Sequence, residues 1–262
     1  GKTRQALTRM MHPVEYKLCC TATPSPNDYT ERGQHAEFLG VCSWQQMLAT
    51  WFINDTANTG DWRLKKHAEF AFWQWVAGWA ACVGKPSDIG FEDGDFTLPP
   101  LNIETHTVET DETGFEDGML FRIASTSATD IFGEMRRTMP ERVAAAAEIV
   151  NESKEAWIVW CNTNDESDAL KDAIPDAVEV RGSDRPEHKV AKLQAFSEGR
   201  ARVIITKPSI AGYGLNWQHC HNVAFVGLSY SFEDFYQAVR RTYRFGQTKP
   251  VKAVIVQART EE

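Results

Sequence analysis

Four short runs in the second half of the chain are apolar and rich in β-branched residues: Trp157 to Trp160, Val203 to Ile205, Val223 to Val226 and Val251 to Val256, the last broken only by Lys252. Each is too short for a helix, and near-continuous hydrophobicity predicts strands covered on both faces. Between the runs the spacing of apolar residues lengthens to that of a helix. Ser183 or Asp184 is placed to cap a helix with Pro186 in its first turn, Val190, Leu193 and Phe196 on one side, and Gly199 just past its end. A second helix is predicted from a Ser231 cap through Glu233 and Asp234 to Gly246. Arg142 to Val150, with its alanine run, predicts a third. Strands alternating with helices imply βαβ units and a mostly parallel sheet, so residues 151–262 read as one α/β domain.

The first half is less regular. Tyr16 to Cys20 reads as one strand, followed by the turn-rich Thr23-Pro24-Ser25-Pro26-Asn27-Asp28. Helical stretches then carry Trp44, Trp51, Trp62, Trp73, Trp75 and Trp79. Such tryptophans can form a base-stacking platform, but at helical spacing packing between helices is the favoured expectation. Residues 84–118 are acidic and punctuated by glycine and proline, and read as a connector. No internal repeat is visible.

Composition narrows the classes. With 262 residues, 42% hydrophobic and 24% charged, the chain can bury a core without staples, and the values argue against disorder, collagen or a coiled coil. Six cysteines with no C-x-x-C pair indicate neither a disulfide framework nor a zinc ribbon. No apolar run approaches membrane-spanning length, and the start lacks the apolar stretch of a signal peptide, so the expectation is a cytoplasmic protein with no membrane span. The net charge of −8 alone would argue against a nucleic-acid partner. However, residues 151–262 hold 15 basic and 15 acidic side chains, whereas residues 84–118 hold ten acids against Lys85 alone. The acidity is local, so it says little about any binding face.

Candidate chemistry concentrates near the C-terminus. On a helix running to Gly246, Phe235, Ala238, Val239 and Thr242 would share one side, and Gln237, Arg241 and Arg244 the other. Two planar guanidinium forks held side by side suit a polyphosphate, although arginines in last turns also complement a helix dipole. Upstream, Thr206-Lys207-Pro208-Ser209-Ile210-Ala211-Gly212-Tyr213-Gly214-Leu215-Asn216 follows a buried strand, where open α/β sheets place ligands. Gly212 and Gly214 would let backbone approach a phosphate or sugar closely, though an ordinary turn has the same composition. His219-Cys220-His221 offers donors without a second pair at metal spacing, and is read as structural, so no metal site is expected.

Together, Gly-Tyr-Gly-Leu-Asn (212–216) and Gln-Ala-Val-Arg-Arg-Thr-Tyr-Arg-Phe-Gly-Gln (237–247) resemble motifs V and VI of superfamily 2 helicases, in the form used by Snf-type DNA translocases of phage or bacterial kind. Thr21-Ala22-Thr23-Pro24 resembles motif III, Ile158 to Asn162 stands in the place of motif IV, and Arg181-Gly182 resembles the segment between motifs IV and V. The resemblance implies a RecA-like parallel sheet flanked by helices, of the P-loop NTPase superfamily, with a Trp-rich helical insertion. It divides the chain into residues 1–26 as a remnant of a first RecA-like domain, 27–118 as helical insertion and acidic connector, and 119–262 as the helicase C-terminal domain.

Carried over residue by residue, the resemblance makes Arg244 an arginine finger toward the γ-phosphate of ATP, with Arg241 beside it and Gln237 ordering that face. Gly212, Gly214 and Asn216 would sit at the nucleotide cleft. Thr206, Lys207, Asn162, Thr163 and Arg181 would lie near the nucleic-acid backbone, while Thr21 and Thr23 would couple nucleotide state to movement. The sequence contains neither a complete P-loop nor an acidic motif II. ATP and Mg²⁺ would therefore be held mainly by the first RecA-like domain, and this chain alone is expected to be inactive as an ATPase. The implied partners are that domain and DNA, expected to be duplex and bound without sequence preference, in the cytoplasm of a bacterial or phage-infected cell. Two alternatives stand beside this reading: a non-enzymatic nucleic-acid-binding or assembly module with the same fold, and an unrelated α/β enzyme that binds a small phosphorylated ligand.

Overall fold

The computed structural model describes residues 2–54, 62–110, 128–211, 214–229 and 231–261. The chain divides into two compact units, Gly1–Gly84 and Lys85–Glu262.

In the first unit, α1 (Lys2–Met11) is followed by an irregular segment, then α2 (Arg32–Leu39), α3 (Trp44–Trp51), a two-stranded antiparallel ribbon of β1 (Phe52–Asn54) and β2 (Trp62–Leu64), and α4 (Glu69–Ala77). Ser43 starts α3 with a capping box: its hydroxyl accepts from Gln46 N, and the Gln46 side chain accepts from Ser43 N. The small core is Met47, Leu48, Phe52, Phe72 and Val76, and all six tryptophans of this region pack against it. Phe72 sits edge-on to Trp51, Phe52 and Trp73 with ring centroids 5.2 to 6.0 Å apart. The tryptophans are therefore packing residues, as their helical spacing suggests. Tyr16 to Cys20 does not form the expected strand. The segment has no sheet partner among the described residues, and Tyr16 and Leu18 are more than four-fifths exposed. A strand needs a neighbour to satisfy its backbone, and the β-type composition of this segment finds none.

The second unit is built on a six-stranded, wholly parallel sheet. Its members in chain order are β3 (Leu101–Val108), β4 (Trp157–Trp160), β5 (Ala177–Glu179), β6 (Val203–Thr206), β7 (Asn222–Val226) and β8 (Val251–Ala258). Across the sheet the order is β3-β8-β7-β4-β6-β5. The helices are α5 (Ala128–Arg137), α6 (Met139–Asn151), α7 (Asn164–Ala173), α8 (Pro186–Ser197), the short α9 (Pro208–Ala211) and α10 (Phe232–Val239). Alternate strand residues point to opposite faces, and both faces are covered. Trp157, Val159, Val203, Ile205, Ala224 and Val226 pack with Val143, Ala146 and Val150 of α6 and Leu170 of α7. Ile158, Trp160, Ile204, Val223 and Phe225 pack with Phe196 of α8, Trp217, and Ala238 and Val239 of α10. This two-sided burial is what the uninterrupted apolar runs require.

Three local expectations change. The acidic stretch read as connector contains β3, an edge strand paired along its whole length with β8, so the sheet begins upstream of the boundary expected at residue 119. Asn102 to Thr107 are all exposed and mostly polar, which an edge strand with a single neighbour tolerates, and this hid the strand among charges. The helix at Pro186 is preceded by Arg185 rather than capped by Ser183 or Asp184. Asp184 instead accepts from Arg181 N at 3.0 Å and from Lys192 Nζ at 2.8 Å. Finally, α10 starts at the Ser231 cap as expected, with Ser231 Oγ accepting from Asp234 N, but ends at Val239. Residues 240–247 continue as turns closed by Arg241 N to Ala238 O, Thr242 N to Val239 O and Gln247 N to Arg244 O. The Val239 carbonyl accepts from Thr242 Oγ1 at 3.1 Å as well as from Tyr243 N at 3.0 Å, and Gly246 takes φ +89°.

Candidate functional site

The described sequence candidates of the second unit fall into two groups by position. The first surrounds the turns after α10. Because the helix stops at Val239, Arg241 and Arg244 do not form a paired face on one helix. Arg241 is buried: its Nε donates to Gln237 O at 3.0 Å, Nη1 to Leu215 O at 3.0 Å and Nη2 to Gln237 Oε1 at 3.1 Å. It thereby ties the end of α10 to the 214–217 loop, reinforced by Trp217 N donating to Arg241 O at 2.9 Å. Gln237 holds the Arg241 guanidinium through inward contacts.

Arg244 is different. It is half-buried, and its Nη1 donates to Oδ1 of the exposed Asn216. Among the described residues no carboxylate pairs with it, and its Nε is buried without a partner. A guanidinium in a low-dielectric position with spare donors and no counter-ion is electrostatically suited to an anion. Gly214 is exposed, with φ +76° and open space where a Cβ would stand. Gly212 lies outside the described residues. Two neighbours steady the Arg244 turn. Gln247, buried, donates from Nε2 to Gln218 O at 3.1 Å and Cys220 O at 3.0 Å, and Phe245 stacks on Phe96. Neither contact was legible as local spacing, although Gln247 belongs to the same motif.

The second group stands at the carboxyl ends of β4, β6 and β7, the edge at which open parallel sheets place ligands. Asn162 follows β4 and donates from Nδ2 to Val226 O at 3.4 Å and Gly227 O at 3.3 Å. Thr163 caps α7, its Oγ1 accepting from Glu166 N at 3.2 Å, and it is exposed. Lys207 follows β6, half-buried, with Nζ 2.8 Å from Asn164 Oδ1. Thr206 is fully buried, and its hydroxyl donates to Val180 O at 3.2 Å, so the side chain faces inward. Arg181 is bonded to Asp168 and, at 2.6 Å, to Glu179, so its charge is already met by two carboxylates.

Thr21 and Thr23 lie in the first unit, where Thr23 N donates to Thr21 Oγ1 at 3.1 Å. His221 Nε2 meets Glu155 Oε2 at 2.8 Å, and Cys220 is buried, its thiol pushed up to about 12 by burial. Among the described residues no group of three or more His, Cys, Asp or Glu side chains converges as a metal site, and no helix is long and apolar enough to cross a membrane.

Comparison with known proteins bears on this geometry. No curated protein gives a match. Solved structures that resemble the chain include the C-terminal part of the Fun30 ATPase domain, with 20% identity and a TM-score of 0.42 over 45% of this chain and 41% of that one. They also include the RNA helicase Prp28 from Chaetomium thermophilum bound to ADP, with 15% identity and a TM-score of 0.45 over 62% of this chain and 34% of that one. A third is the helicase Lhr of Mycobacterium smegmatis bound to ssDNA and AMP-PNP, with 15% identity and a TM-score of 0.46 over 62% of this chain and 20% of that one. The chain thus spans well under half the length of these three proteins. The family model described as the helicase conserved C-terminal domain matches residues 141–246, the stretch from α6 through the Arg244 turn. Residues 141–246 thus match the helicase conserved C-terminal domain, and the unit that contains them has a RecA-like α/β fold, a parallel sheet flanked by helices.

Proposed function

We propose that this chain supplies the arginine-bearing half of a composite ATP site in a Snf-type, DNA-dependent ATPase of helicase superfamily 2. The observation that carries the reading is Arg244: a half-buried guanidinium held by Asn216, paired with no carboxylate among the described residues, inside the stretch that matches the helicase domain. ATP hydrolysis joins a water oxygen to the γ-phosphorus as the bond to the β–γ bridging oxygen breaks, and charge grows on the departing oxygens. A fixed guanidinium meets that charge without reorganising and is worth roughly 10³ to 10⁵ in rate.

The nucleotide and Mg²⁺ are held by a separate RecA-like lobe with its P-loop and acidic motif, and this chain by itself does not hydrolyse ATP. Arg241 acts beside Arg244 by keeping the 214–217 loop against the end of α10, and Gly214 and Asn216 border the nucleotide. Lys207, Asn162 and Thr163 face a phosphodiester backbone. Thr206 contributes through its backbone position, and Arg181 reaches phosphate by exchanging one of its two carboxylates. Thr21 and Thr23 couple the nucleotide state to movement. The nucleic acid is duplex DNA bound without sequence preference, since backbone contacts carry no base information. The setting is the cytoplasm of a bacterial or phage-infected cell.

Mixing the chain with a separately prepared RecA-like first lobe of the same protein, ATP, Mg²⁺ and duplex DNA tests this. Phosphate release above that of the first lobe alone, abolished by Arg244→Ala, is expected. Release insensitive to Arg244→Ala, or none at all, overturns the motor reading; DNA binding that survives without hydrolysis favours a non-enzymatic binding module.

A further inference from the structure

Beneath the turn at the end of β4 lies an ion pair that the motif reading does not use. Arg142 of α6 has no exposed surface, and Glu166 of α7 is 1% exposed. Arg142 Nη2 donates to Glu166 Oε1 at 3.0 Å, and Nε to Thr138 Oγ1 at 3.2 Å; a further bond from Nη2 reaches Met135 O. The other oxygen of Glu166, Oε2, accepts from Asn162 N at 2.7 Å and from Thr163 N at 3.0 Å.

Glu166 is the third residue of α7 and part of a capping box, a role that glutamine fills equally well and that is ordinarily solvated. Here the carboxylate is buried, which costs desolvation that a glutamine would not incur. Its charge has a specific use. Only a carboxylate can accept two backbone amides on one oxygen and a guanidinium on the other, because a glutamine amide would present donors to one of those partners. The neighbouring strand end is shaped to the same pair. Gly227 takes φ +76°, a Cβ there would stand 2.8 Å from Arg142 Nη1, and Asn162 Nδ2 reaches the Gly227 carbonyl. Glu166 draws the Asn162 and Thr163 amides inward, while the Thr163 side chain is exposed and Lys207 Nζ bonds Asn164 Oδ1 in the same α7 N-terminal turn.

We infer that Arg142 and Glu166 are positioning residues for nucleic-acid phosphate. Glu166 sets the Asn162–Thr163 turn, and Arg142 cancels the carboxylate charge that would otherwise lie under the phosphate and repel it. This rests on the assignment of Asn162, Thr163 and Lys207 to the nucleic-acid backbone.

The test measures binding of the full chain to labelled duplex DNA across a salt series, with folding followed by circular dichroism. Arg142→Met leaves Glu166 charged and uncompensated, and is expected to weaken binding by about tenfold at low salt, less as salt screens the charge. Arg142→Met combined with Glu166→Gln removes both charges and keeps an acceptor for the two amides, and is expected to return affinity to within about threefold of the native value. A role confined to stability predicts altered melting with the affinity of the folded protein unchanged, and that result overturns the inference, as does a double variant as weak as the single one.

Should Arg142→Met not fold, Arg142→Lys keeps the buried charge without the fork. Hydrogen exchange at the Asn162 and Thr163 amides is then expected to quicken about tenfold together with weaker binding, and unchanged exchange and affinity overturn the inference. A native chain that binds no duplex DNA removes the functional reading, and this inference with it. Native binding with unaffected variants removes the inference alone.

Discussion

Phe96 stacks on Phe245, with ring centroids 4.6 Å apart and planes inclined by 26°, so a residue from the acidic stretch before the sheet packs beside the turn that carries Arg244. Both rings are about half exposed. A double-mutant cycle with Phe96→Ala and Phe245→Ala is expected to give a coupling energy of about 1 kcal/mol in urea unfolding. Additive single variants would show that the two rings do not support one another.

Arg241 and Arg244 are separated by three positions and should respond in opposite ways to truncation. Arg241→Ala removes a buried guanidinium and its hydrogen bonds to Gln237 O and Leu215 O, and is expected to cost about 2 kcal/mol or more in unfolding free energy. Arg244→Ala loses a bond to an exposed asparagine and should change stability by no more than about 0.5 kcal/mol. Urea denaturation of both variants checks this. An Arg244→Ala protein as unstable as Arg241→Ala would mark Arg244 as structural.

The cysteines should separate by reactivity. Burial pushes the Cys161 and Cys220 thiols up to about 12, whereas Cys20 and Cys82 are exposed. Since the thiolate is the reacting form, a maleimide at pH 8 is expected to label Cys20 and Cys82 in the native protein, and Cys161 and Cys220 only after unfolding. Mass mapping of the labelled peptides reads the result; early labelling of Cys161 would contradict the packing of β4.

Acid should weaken the second unit partly through Asp176. Arg202 grips its carboxylate with two bonds, at 2.6 and 3.0 Å, and that hydrogen bonding holds the Asp176 pKa below its ordinary value of 3.8. A carboxyl whose pKa is lowered on folding adds stability that is present above the ordinary value and is lost as the pH falls through the lowered one. Melting temperature followed from about pH 5 to about pH 2 should fall less steeply in Asp176→Asn than in the native protein, which starts higher. Equal slopes would remove Asp176 from the acid limb.

The central sheet was readable because its strands are buried on both faces, and Trp157 to Trp160 or Val203 to Ile205 then need no polar alternation to mark them. Strand β3 was not readable: with one neighbour and mostly exposed side chains, Asn102 to Thr107 look like loop residues. Tyr16 to Cys20 failed in the opposite direction, with strand-forming residues and no partner strand. At the candidate site, the motif spacing picked out Gln237, Arg241, Arg244 and Asn216, and the hydrogen bonds do link these four through the Leu215 to Trp217 loop. Periodicity alone could not foresee that the helix stops at Val239, because the turns that follow are held by contacts to the 214–217 loop, which hydrophobic pattern does not mark.

By itself, the order of apolar runs and helical spacings determined a parallel α/β unit with Arg244 near its C-terminal strand, since side-chain period and connection length are local properties of the chain. Tertiary structure alone decided which arginine remains available. Residues 241 and 244 carry the same charge, but Arg241 is buried against the Gln237 and Leu215 carbonyls and the Gln237 side chain, whereas Arg244 is half-buried and meets the exposed Asn216. That depends on how the 214–217 loop folds back against the end of α10, a long-range contact that no local spacing encodes.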